Sequence, residues 1–159
     1  MLDAILIARF VHLTGAALML GSWVGIAAFF VFAHRSGNVS VVALVSRFVV
    51  RIELFVMLPV LVLQPLSGFV LGAVVGLSPA DNFWIDVSLA MFALVAACWL
   101  GAAAIELHVR KIARAAALAR RPLGEGYRRL FWIWLALACV VIAGTIALFA
   151  IMVWQPRLD

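Results

Sequence analysis

Four long, predominantly apolar stretches, Ile5–Ala33, Ile52–Leu77, Phe83–His108 and Leu130–Trp154, decide what this chain can become. A helix needs about 20 apolar residues to cross the hydrocarbon core of a bilayer, and each stretch exceeds that length. Inside lipid every backbone N–H and C=O must be satisfied within the segment, which makes each stretch a helix. Composition agrees, with 68% of residues apolar and 12% charged, against about 45–50% and about 25% in soluble domains. The expected fold class is therefore all-α: one membrane domain over residues 1–159, an integral membrane four-helix bundle running up-down-up-down. The first stretch is expected to be retained rather than cleaved as a leader. Asp3 stands where a positive flank belongs, and the apolar run is too long for a signal peptide.

The connections carry the charge. Between the first two spans, HRSGNVSVVALVSR opens with a turn signal at Ser36-Gly37-Asn38 and continues as a short amphipathic piece. Between the second and third, SPADN reads as a tight polar turn. After the third span, an Ala-rich segment continues the helix until Pro122-Leu123-Gly124 breaks it. Of the 12 basic residues, Arg35, Arg47, Arg51, Arg110, Lys111, Arg114, Arg120, Arg121, Arg128 and Arg129 fall on the first and third connections, and only Arg9 and Arg157 lie on the other side. That asymmetry places both termini in the periplasm of a multi-pass protein of the bacterial inner membrane. The net charge of +5 is read as contact with anionic headgroups, not nucleic acid. Cys98 and Cys139 sit within apolar runs with no CxxC spacing, which points to small buried hydrophobes.

Helix contacts are legible as well. Gly21 and Gly25, then Gly68, Gly72 and Gly76, form GxxxG patterns that permit close backbone approach, read here first as packing within the bundle and second as a dimer face. Pro59 and Pro65 are expected to kink the second helix.

Polar residues at membrane depth are the candidates for function. Depth along the four helices gathers Arg9, His12, Gln64, Ser67, Asp86 and Ser88 toward the terminal side, with an Arg9–Asp86 ion pair expected. A second group, His34, Arg35, Arg51, Glu53, Glu106 and His108, collects at the opposite boundary. There the two glutamates are expected to pair with neighbouring arginines in a belt that reaches for the headgroups. His12 is the sharpest residue: Gly15, Ala16, Met19 and Trp23 share its face, and small neighbours beside an imidazole leave room for a flat ligand such as haem. Met91 lies at a depth that allows His/Met ligation, and His34 with His108 form the alternative ligand pair. Gln64, Asp86 and Arg9 would then serve as hydrogen-bonding or propionate partners. No metal-ligand pair at i, i+4 and no nucleophile elbow supports a hydrolase.

The runs ARFVHLTGAALMLGSWVG, LPVLVLQPLSGFVLG and FWIDVSLAMFAL resemble a family of small bacterial four-helix predicted integral membrane proteins, a domain of unknown function. The resemblance covers nearly the whole chain. The pattern is also distantly similar to the bacterial membrane protoporphyrinogen oxidase family, in which a first-helix histidine is implicated in haem binding; His12 matches it, and Pro59 with Gly68 falls in the second-helix pattern. The functional lysine of that family's third helix has its counterpart near Ser88, where this chain has no lysine. A weaker likeness, to copper-resistance membrane proteins, rests on the RFVHLTGA opening. These resemblances imply haem b or a porphyrin, held by His12, in electron transfer or in a subunit of a membrane redox complex, with other redox subunits or a second copy of the chain as partners besides the lipid bilayer. Whether the chain is an enzyme stays open. The alternatives are a non-catalytic accessory subunit and a small dimeric transporter.

Overall fold

Asn38 starts the second span earlier than its hydropathy alone indicates. Its side chain accepts hydrogen bonds from the backbone N–H groups of Ser40 (2.9 Å) and Val41 (3.4 Å), which caps a helix beginning at Val39. The connection from the first span is thereby reduced to Ser36–Asn38, and the piece expected to be a separate amphipathic segment belongs to the second rod. Val42, Ser46 and Val49 are its buried face.

The computed structural model describes residues 2–77 and 82–155. Helix α1 spans Leu2–Arg35, α2 Val39–Ile52, a π-helical turn Glu53–Met57, α3 Leu58–Val75, α4 Phe83–Leu118 and α5 Glu125–Trp154. Joined through the π turn, α2 and α3 form one rod of 37 residues, so the bundle has four helices able to cross a membrane. The four expected spans are all present, and each is longer than its hydropathic core. Flanking residues such as Arg110 and Lys111 continue α4, while Glu125–Arg129 begin α5. Between them, Arg120 takes a left-handed conformation (φ 50°) after α4 ends, and Gly124 stands at the start of α5. The Pro122-Leu123-Gly124 break is where the sequence puts it. The Ser78–Asn82 turn and Arg157 bear on the orientation expectation, but Ser78–Asp81 and Arg157 lie outside the described residues.

The helices pack as neighbours in chain order and across it: α4 against α5 and α2, and α1 against α3, α2 and α5. The buried positions explain why. On α5 they are Tyr127, Phe131, Trp134, Ala138, Val141, Thr145 and Leu148, alternating steps of four and three. On α4, Trp99, Ala102, Glu106, Val109 and Ala113 do the same. A seam with this 3.5-residue average winds antiparallel helices about one another in the left-handed manner of a coiled coil. Large apolar side chains elsewhere, Phe10, Phe29, Phe32, Phe55 and Phe69 among them, point outward. That exposure suits lipid and no aqueous solvent.

The π turn follows from local sequence. Pro59 sits in the first turn of α3 and lacks a backbone N–H, so the ladder just before it loses a donor. One extra residue in that turn resets the phase between α2 and α3. Glu53 and Met57, four residues apart across this turn, both face inward. Pro65 lies within α3.

The glycine expectations divide. A Cβ on Gly68 would come within 3.2 Å of the His12 ring, so this glycine does admit a neighbouring helix closely. Gly72 does not: its nearest neighbour is the Leu77 carbonyl oxygen at 3.8 Å, part of the cap that ends its own helix. Gly21 and Gly25 have nothing within 4 Å and leave the bundle core untouched. Close approach is supplied instead by Gly15 beneath Gln64 and by Gly144, where a Cβ would fall 2.6 Å from Val95 Cγ2.

Candidate functional site

Two polar clusters occupy the interior, at different heights. The first is the one expected around His12. The imidazole is 8% exposed, and its Nδ1 lies 2.9 Å from the Ser67 hydroxyl. That hydroxyl donates to the Gln64 carbonyl at 3.0 Å. A single O–H proton cannot serve both bonds, so Ser67 accepts from His12, Nδ1 carries the proton, and Nε2 keeps its lone pair. The Gln64 side-chain amide donates in turn to the His12 carbonyl at 3.2 Å. Three residues of α1 and α3 thus converge as the sequence indicates.

The remaining members of that group do not join them. Arg9 and Asp86 are both exposed, and no ion pair links them among the described residues. Ser88 turns back to the Trp84 carbonyl of its own helix. Met91 is half-buried and packs against the apolar core. The partner that orients the imidazole is Ser67 and not Asp86. The space expected beside His12 is partly taken, because Gln64 fills the notch at Gly15 and Gly68 lies against the ring. For haem, this surrounding supplies one imidazole of suitable tautomer, while the small-residue notch is filled by protein. His34 and His108, the alternative ligands, keep separate company. His34 stacks on Phe131 (ring centroids 3.6 Å apart) and meets the Tyr127 hydroxyl at 3.2 Å. His108 is exposed on α4 with its Nδ1 3.0 Å from the Ala104 carbonyl. No group of three or more His, Cys, Asp or Glu residues suited to a metal ion occurs among the described residues.

The second cluster is the one whose chemistry differs from expectation. Glu53 and Glu106 do not pair with arginines. Both point into the bundle, 7% and 1% exposed, and Arg128–Glu125 is the ion pair found among the described residues. Each glutamate is held instead by an indole. Trp99 Nε1 donates to Glu53 Oε2 at 2.5 Å, and Trp134 Nε1 donates to Glu106 Oε1 at 2.7 Å. The two carboxyl groups line a common cavity of about 20 Å³, together with Trp23, Trp99, Trp134 and small or aliphatic residues of α4 and α5. Two buried polar atoms in its wall have no hydrogen-bond partner, Trp23 Nε1 and Glu106 Oε2. At 1.5 Å per residue, the 14-residue α2 sets Glu53 about 21 Å along its rod from Val39, with Arg47 and Arg51 on the intervening turns.

Four helices build this cavity for sequence reasons. Glu106 occupies a seam position of α4 between Ala102 and Val109, and Trp134 occupies one of α5 between Phe131 and Ala138. Glu53 follows Val42, Ser46 and Val49 on the buried face of its rod. The signal was available in the sequence: a glutamate at a seam position cannot reach the headgroups, however close in depth the arginines lie.

An isolated carboxylate is costly to bury, and burial demands a proton, a cation or several donors. Here each carboxyl receives one indole N–H and no cationic side chain, so two acidic groups share one small apolar-walled space. Such a site can hold and exchange a positive charge. No curated protein and no solved structure matches the chain. A family model does match, over residues 6–156, and the chain therefore belongs to the family described as predicted integral membrane protein (DUF2269).

Proposed function

We propose that this is a proton-handling membrane protein, in which Glu53 and Glu106 together bind and release a proton inside the bilayer. One observation carries the reading: two buried carboxyl groups line one cavity of about 20 Å³ with no cationic partner among the described residues. Charge balance then falls to a proton, because two like charges in one low-dielectric space repel and an unpaired buried carboxylate is costly. Ionisable groups inside a membrane bundle commonly mark proton relays and ion pathways. With the basic end on the cytoplasmic side, as the charge asymmetry implies, the pair exchanges with the cytoplasm. The indole bonds from Trp99 and Trp134 fix each carboxyl and soften the cost of its ionised form, which makes uptake and release reversible. The protein would act as a proton relay, or as the proton site of a small transporter.

The test is infrared spectroscopy of protein reconstituted in lipid, titrated with pH. A protonated-carboxyl band that titrates in the parent should shrink in Glu53→Gln and in Glu106→Gln and vanish in the double variant. A band unchanged in the double variant refutes the proposal.

A second reading, haem b bound by His12, is favoured by one observation: Nδ1–H is held by Ser67, which leaves the Nε2 lone pair available. Ligating imidazoles are held in this way by a neighbouring acceptor. An absorption spectrum of the same preparation tests it. A Soret band lost in His12→Ala would establish haem, and a colourless protein that shows no spectral shift with added haem would exclude it.

A further inference from the structure

The two unpartnered atoms in the cavity wall differ in kind, and the difference restricts what the cavity accepts. Trp23 Nε1 can only donate, whereas Glu106 Oε2 in its ionised form can only accept. Both residues are almost wholly enclosed, at 4% and 1% exposure. A bare metal cation satisfies the carboxylate but sets its charge against the indole N–H dipole. An anion satisfies the indole but meets two carboxyl groups. What suits both is a molecule with a lone pair for Trp23 and a proton for Glu106. The volume decides its size: a cavity needs roughly 10–15 Å³ for one water molecule, and this one offers about 20 Å³.

We infer that the cavity is a binding site for a single water molecule, which accepts from the Trp23 indole, donates to Glu106 Oε2, and carries the proton between Glu106 and Glu53. The inference deepens the proton-handling proposal and rests on it for the last step only. Water in this position completes the hydrogen bonding of two buried groups, each of which would otherwise bear a desolvation cost. It also explains the unequal use of the three indoles. Trp99 and Trp134 are committed to carboxyl oxygens, which leaves Trp23 as the donor that orients a mobile partner. With one lone pair facing Trp23, the water has a second lone pair to accept from the protonated carboxyl and a proton to donate to the ionised one. A proton taken up on one carboxyl can then pass to the other by exchange of a hydrogen bond for a covalent O–H bond at the water, which loses one proton and gains another. Atoms and charge balance within the triad, and no further reactant is needed.

The experiment is nuclear magnetic resonance of full-length protein in lipid nanodiscs, with the six tryptophans labelled at the indole nitrogen. Trp23→Phe assigns the Trp23 signal. A magnetisation-transfer cross-peak from protein-bound water to the Trp23 indole proton is expected, with none to the Trp99 and Trp134 protons. Absence of the Trp23 cross-peak, or equal cross-peaks at all three indoles, overturns the water site. The infrared titration separates this result from the function. A cross-peak with no titrating carboxyl band confirms the site and refutes proton handling. A titrating band with no cross-peak refutes the water and leaves the carboxyl pair standing. Because the parent protein supplies the decisive cross-peak, a Trp23→Phe protein that fails to fold removes nothing, and Phe variants of the other five, Trp84, Trp99, Trp132, Trp134 and Trp154, assign the Trp23 signal by elimination.

Discussion

Replacing Trp134 with Phe tests whether the indole–carboxyl bonds hold the bundle or merely decorate it. Trp134 and Glu106 are each 1% exposed, and their bond is 2.7 Å long. Phe retains the packing on Phe30, whose ring centroid is 4.5 Å from that of Trp134, but removes the donor and strands Glu106 Oε1. A hydrogen bond to a charged group is worth about 1.5–3 kcal/mol net, and loss of that order is expected for Trp134→Phe. Glu106→Leu acts oppositely. It strands the Trp134 donor, at a cost of about 1–3 kcal/mol, yet relieves a buried carboxyl, and apolar replacement of buried ionic groups returns about 1–4 kcal/mol. The net effect is expected near zero. In the double variant neither group is stranded, so the two changes should couple by the sum of the two stranding costs, about 2.5–6 kcal/mol, with the double more stable than Trp134→Phe alone. Reversible unfolding in mixed micelles, followed by far-ultraviolet circular dichroism, measures all four proteins. Losses that simply add would refute the claim that the two residues form one energetic unit.

Three further outcomes follow from other parts of the bundle. Gly15→Ala should cost about 1–3 kcal/mol, because its Cβ would lie 2.5 Å from Gln64 Oε1 and displace the amide from the His12 carbonyl; unchanged unfolding would show that Gln64 moves freely. Gly144→Ala should cost about 1–3 kcal/mol by overpacking against the stiff Val95 side chain, whereas Gly21→Ala, with open space around it, should leave the unfolding midpoint in place; equal effects in the two variants would contradict the packing. An alkaline-phosphatase fusion following Asp159 should be active and a fluorescent-protein fusion there dark, as the asymmetry of basic residues predicts; the reverse pattern would invert the topology.

Hydropathy made the four spans visible because lipid imposes one rule on every residue of a crossing helix. Their ends were less visible. Asn38 caps a helix through a side chain that hydropathy does not weigh, and the residues following it read as a connection because Arg47 and Arg51 interrupt the apolar run. Convergence of His12, Gln64 and Ser67 was legible from depth alone, since all three lie on faces that α1 and α3 turn toward each other. Depth failed for Asp86 and Arg9, which match in height but point outward. It failed more instructively for Glu53 and Glu106. Their nearness to arginines suggested ion pairs, while the seam spacing of α4 and the run Val42, Ser46, Val49, Glu53 on the second rod turn both carboxyls away from the headgroups. Height is set by residue number, but direction is set by helical phase.

The two short connections at the basic end, Ser36–Asn38 and Ala119–Gly124, bear on how the protein is assembled. Each joins a pair of antiparallel rods, so the chain consists of two helical hairpins, α1 with α2–α3 and α4 with α5. Contacts within a hairpin are local and close early, whereas those between hairpins wait for both to be in the bilayer. The Trp134–Glu106 bond belongs to the second hairpin and can form as that hairpin folds. The Trp99–Glu53 bond crosses between them, as does the cavity that Trp23 of the first hairpin shares with Glu106 of the second. A nascent chain halted after α3 therefore carries Glu53 in the membrane without the Trp99 indole that receives it. The last event of biogenesis, docking of one hairpin on the other, is also the event that creates the acidic site.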